Sequence, residues 1–109
     1  MRRTIAPESS RPVLHIDPLF TDLIPGFVER QYENTMRVLE ALETGDYETV
    51  SRLGHMMKGV GSGYGFRTVT SVGRDLQQAA AHKNYDLARE LATGLSDYLL
   101  RVECVYDGT

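Results

Sequence analysis

The chain has 109 residues, enough for one compact domain and little besides. An apolar fraction of 41% and a charged fraction of 25% are ordinary for a globular protein, and no apolar run approaches the roughly 20 residues needed to cross a bilayer. The net charge of −3 argues against non-specific nucleic-acid binding, which needs a basic face.

Arg2 and Arg3 are not followed by an apolar stretch, so no secretory signal is visible. The single cysteine, Cys104, can form no internal disulfide, and a reducing cytoplasm is the expected location. Residues 1–15 are polar, contain Pro7 and Pro12, and read as a flexible leader to a domain spanning residues 16–107.

Asp17-Pro18 pairs an N-cap with proline at the first helical position and predicts a short helix through Leu23. Pro25 then starts a long helix to about Glu43, with Ile24, Phe27, Gln31, Thr35, Val38 and Leu42 on one face. Thr44-Gly45-Asp46 is a stop and restart, with glycine ending one helix and aspartate capping the next. The second helix is expected from Tyr47 to about Tyr64, its apolar stripe being Val50, Leu53, Met57, Val60 and Tyr64, and Gly65 breaks it. A third, from about Arg67 to His82, places Val69, Val72, Leu76 and Ala79 or Ala80 on one face. Asn84 caps a last helix from about Tyr85 to Cys104, marked by Ala88, Leu91, Leu95, Tyr98 and Val102. No segment reads as a strand. The expected fold is therefore all-α, an antiparallel up-down four-helix bundle with a short additional N-terminal helix.

The second helix breaks its own local rules. Gly54, Gly59, Gly61 and Gly63 crowd its later half, each costing about 1 kcal/mol against alanine in a helix interior. Rule-breaking of this kind often marks function. At about 100° per residue, His55 points away from the apolar stripe, Gly59 and Ser62 share its outer face, and Lys58 lies to one side. Gly59 leaves the imidazole open from the next turn, whereas Gly61, nearer the apolar side, suits close helix packing. Neutral imidazole is a nucleophile near physiological pH, and an ammonium beside it can offset the charge of a phosphoryl group. A solvated surface histidine is the plain alternative.

The run His55-Met-Met-Lys58-Gly59-Val-Gly61-Ser-Gly63-Tyr64-Gly65-Phe66 resembles the signature of histidine phosphotransfer domains. In that family the acceptor histidine is followed by lysine at +3, glycine at +4 and a helix-ending glycine at +10, often with an apolar residue after it. The resemblance covers about Asp17 to Asp107. It implies that His55 accepts the phosphoryl group, with Lys58 and Gly59 beside it. It also implies that Gln77, at +22 on the neighbouring helix, orients the imidazole by a hydrogen bond. A neutral amide there is similar to the phosphorelay members fed by an aspartate, rather than to chemotaxis-type kinase domains, which carry glutamate. Met56, Ser62, Tyr64 and Phe66 are expected at the partner-docking surface.

The implied partners are response-regulator receiver domains, a hybrid histidine kinase, or both; neither nucleic acid nor a membrane is expected. The chain is expected to act as a monomer without a cofactor of its own, the Mg²⁺ belonging to the receiver. His15 and His82 pair with no other ligand at metal-binding spacing, so no metal site is expected. No phosphate-binding loop is present, which argues against direct use of ATP. Two rival functions stay open: a helical module that binds a partner without chemistry, and a phosphotransfer domain phosphorylated directly by a histidine kinase.

Overall fold

Asp17 accepts the Leu19 amide at 3.0 Å in the computed structural model, which describes residues 12–106. With Pro18 this start signal opens only a single 3₁₀ turn, Pro18–Phe20, instead of a helix to Leu23. Helix α1 follows at Ile24–Glu43 with proline in its first turn. All six residues of its expected stripe are buried, the polar Gln31 and Thr35 included. The Thr35 hydroxyl donates to the Gln31 carbonyl at 2.7 Å, while Gln31 Oε1 is buried without a partner among the described residues.

Gly45, at φ +70°, makes the turn into α2 (Tyr47–Tyr64), which Asp46 caps through the Thr49 amide at 3.1 Å. The Thr49 hydrogen bonds hold the Asp46 carboxyl below its ordinary value. Its capping contribution is thus present above the usual carboxylate range and is lost as pH falls through the lowered folded value. Helix α3 spans Arg67–Ala81, and α4 spans Tyr85–Arg101 with Asn84 as its cap. Helix α1 packs on α2 and α4, and α3 packs on the same two, the closest pair being α2 and α3. Between them lies one core that includes Phe27, Val38, Leu53, Met57, Val69, Leu76 and Leu95.

The all-α expectation needs one correction. Val13–Ile16 (β1) and Glu103–Tyr106 (β2) form a two-stranded parallel ladder, Val13 facing Glu103 and Ile16 facing Tyr106. Leu14 and Ile16 point inward, and Ile16 is 1% exposed. Residues 13–15 are therefore not part of a flexible leader; residues 1–11 of that leader lie outside the described residues. The last helix stops at Arg101, short of Cys104, because Val102 turns extended and the Glu103 amide donates to the Pro12 carbonyl at 2.8 Å. The β-branched and aromatic run Val102-Glu103-Cys104-Val105-Tyr106 suits a strand once such an edge is beside it. Cys104 thus sits on β2, where partial burial pushes its thiol up.

Helix α4 contains one glycine, Gly94, and a Cβ built there meets nothing within 4 Å. Gly94→Ala is therefore expected to raise stability by about 1 kcal/mol, since it restricts the unfolded chain and clashes with nothing. A rise in the urea midpoint at unchanged slope checks this; an unchanged or lower midpoint contradicts it.

Candidate functional site

Helix α2 buries Val50, Leu53, Gly54, Met57 and Gly61 and turns His55, Met56, Gly59, Ser62 and Gly63 to solvent. His55 takes part in no hydrogen bond or ion pair among the described residues. One turn on, a Cβ built at Gly59 meets nothing within 4 Å, and the same holds at Gly63. The imidazole therefore stands in the open with bare backbone beside it. Met56, at 44% exposure, supplies an apolar neighbour, and Lys58 is half-buried along the α3 side.

The crowded glycines divide into two sets. Gly54 and Gly61 lie against α3: a Cβ on Gly54 would sit 2.7 Å from the Gly73 carbonyl oxygen, and one on Gly61 2.7 Å from Thr70 Oγ1. From the other side, a Cβ on Gly73 would sit 2.5 Å from the Gly54 carbonyl oxygen and 2.6 Å from the Lys58 amide nitrogen. These separations are shorter than side chains tolerate, so here the two backbones touch directly. Gly59 and Gly63 instead face open space. Of the four, Gly61 was legible from the wheel as a packing glycine; Gly54 belongs with it.

Gln77 is half-buried on α3, and its Cγ lies 3.2 Å from the position of a Gly54 Cβ. The structure thus brings Gln77 against the residue before His55, although no hydrogen bond joins it to the imidazole.

Two expected docking residues sit differently. Phe66 is 0% exposed, its ring 4.7 Å from that of Phe27, so it is a core residue and no part of the surface. Tyr64 is half-buried and stacks on Phe27 at 4.4 Å, leaving only an edge outward. The cause is the helix end. Gly65 adopts φ +81°, its amide bonds the Ser62 carbonyl and the Phe66 amide bonds the Gly61 carbonyl at 2.8 Å. In this Schellman arrangement the residue after the glycine folds back onto the helix. An apolar residue following a helix-ending glycine was the signal for its burial.

Beyond the close crossing the α2–α3 groove opens into two clefts. One, of about 710 Å³, is lined by Gly61, Ser62, Gly65, Arg67, Thr70 and Ser71 together with Val13–His15 of β1. The other, of about 440 Å³, is lined by Tyr47, Glu48, Ser51, Arg52, Ala80 and Ala81. Sequence reading did not single out Arg52, Arg67, Thr70 or Ser71, because which residues flank a groove depends on how the helices pack. Charge is divided between the helix pairs as well. Helices α2 and α3 carry Arg52, Lys58, Arg67 and Arg74 against Glu48 and Asp75, whereas α1 and α4 carry seven carboxylates against four arginines. The His55 side is thus basic within an acidic chain, which favours an anionic visitor.

His82 is used locally, its Nδ1 lying 2.9 Å from the Gln78 carbonyl oxygen. Among the described residues no group of three or more His, Cys, Asp or Glu side chains is placed to hold a metal ion, and no helix is long and apolar enough to cross a membrane. No family model, no characterised protein and no solved structure matches this chain.

Proposed function

We propose that this chain is a phosphoryl carrier of a two-component phosphorelay, in which His55 takes the group from a receiver phospho-aspartate and passes it to another receiver. The observation that supports this most is the exposed imidazole of His55, without a polar partner among the described residues, beside the open backbone of Gly59. In this reading the helices form an antiparallel up-down bundle that serves as a rigid platform for α2, and the carrier works as a cytoplasmic monomer.

Chemically, the Nε2 lone pair of His55 forms a P–N bond while the P–O bond to the aspartyl group breaks and leaves a carboxylate. The proton stays on Nδ1. Lys58 offsets the phosphoryl charge, and the basic α2–α3 side draws the anionic donor in. The chain needs no metal or nucleotide of its own for this step; one Mg²⁺ ion is expected on the receiver. The reverse step to a second aspartate uses the same groups, so the chain carries phosphate without turning over a substrate.

The test is incubation of the chain with phosphorylated receiver domains. Label that moves onto it and proves acid-labile but alkali-stable supports the carrier. A chain that binds receivers yet never takes label is an interaction module. Label gained directly from ATP and a histidine kinase, but from no receiver, favours the kinase-fed alternative.

Access has its own test. Gly59→Leu fills the open space above the imidazole while improving local helix propensity. Transfer from a receiver is expected to fall by about a hundredfold with unchanged helical circular dichroism, the scale of a misplaced approach. Unimpaired transfer refutes the access argument.

A further inference from the structure

We infer that Gly54 and Gly73 are positioning residues of the His55 site: their backbone-to-backbone contact seats the Gln77 side chain at the level of the imidazole. The inference deepens the carrier reading and rests on it for its purpose, although its test does not require phosphate transfer.

Each glycine of the pair excludes a side chain on the other. A Cβ on either would come within 2.5–2.7 Å of the opposite carbonyl oxygen, so here the two main chains touch directly. This crossing occurs at the residue before His55 and one helical turn before Gln77. Gly54 is also the seat of Gln77 itself: a Cβ there would lie 3.2 Å from both the Gln77 Cγ and the Gln77 main-chain nitrogen. A side chain at position 54 therefore pushes Gln77 off α2, and one at position 73 pushes the helices apart. Either change moves the Gln77 side chain away from the stretch of α2 backbone that carries His55. Among the described residues the imidazole has no hydrogen-bond or ion-pair partner, so it is free to turn toward the Gln77 side-chain amide. Gly61 meets α3 two turns further along, against Thr70, and fixes the helix pair without touching Gln77.

The experiment reads the His55 ring nitrogens of the unphosphorylated full chain by long-range ¹H–¹⁵N correlation in four variants. Gln77→Ala and Gly73→Ala are each expected to move the His55 ring signals the same way, and the double variant to move them no further, as coupled sites require. Gly94→Ala on α4, where a Cβ meets nothing within 4 Å, serves as the control and should leave these signals in place. Phosphorylation by phosphoramidate, a small donor that needs no docking partner and releases ammonia, should slow about tenfold in both Gln77→Ala and Gly73→Ala.

Unmoved His55 signals in Gln77→Ala overturn the inference whether or not Gly73→Ala folds. Full additivity of the two changes overturns it as well, as does an equal movement in Gly94→Ala, which would mark a general effect unrelated to the α2–α3 crossing. Ring signals that respond as stated, in a chain that no receiver phosphorylates, would uphold the joint and remove the carrier function.

Discussion

His55→Gln is expected to take no phosphate from any donor while folding as the wild type does. The side chain is exposed and has no hydrogen-bond or ion-pair partner among the described residues, so its removal breaks no polar contact described in the fold. Surface substitutions of this kind change stability by no more than about 0.5 kcal/mol, and glutamine is the better helix former. What the variant loses is the reactive nitrogen. An amide nitrogen shares its lone pair with the carbonyl and cannot displace a carboxylate from phosphorus, so the loss should be complete. His15 and His82 remain as internal controls, and His82 is already engaged with the Gln78 carbonyl. Label in His55→Gln at anything near the wild-type level would place the acceptor elsewhere.

Phe66→Ala should cost about 3–5 kcal/mol of folding stability, a large share of what a domain of this size has. Its ring is fully buried and packs 4.7 Å from Phe27, which in turn stacks on Tyr64. Truncation leaves a cavity between the Gly65 helix end and α1, and it removes the apolar contact that fixes the turn into α3. A docking residue would behave otherwise, with stability unchanged and transfer from the receiver slowed. Urea unfolding separates the two. A midpoint that falls steeply at similar slope supports the core role, whereas a loss below about 1 kcal/mol restores Phe66 to the surface.

Where the chain carries its own punctuation, sequence and structure agree closely. Asp46 and Gly65 bound α2 at Tyr47 and Tyr64, and the Phe27-to-Leu42 stripe of α1 is buried throughout, even at Gln31 and Thr35. The C-terminus of α4 had no such mark. No glycine or proline stops the helix after Arg101; an edge from β1, some 90 residues earlier in the chain, does. A parallel pair with so long a crossover is invisible to local patterning, because neither strand is stable until the helices bring them together. The same holds for the site. The outward face of His55, Gly59 and Ser62 follows from 100° per residue alone. That Gly54 meets Gly73, and that Gln77 rests on that contact, depends on how α2 crosses α3. Phe66 departs for a different reason: nearness to the site suggests exposure, whereas its place after a helix-ending glycine specifies burial.

The most direct test of the carrier proposal is to locate the phosphate on the wild-type chain after transfer from a receiver, by ³¹P and long-range ¹H–¹⁵N spectra at alkaline pH. A phosphorus signal in the phosphohistidine region, correlated with Nε2 of His55 and with no other nitrogen, is the predicted result. Phosphate found on His15, on His82 or on a hydroxyl, with the His55 ring unchanged, would contradict it.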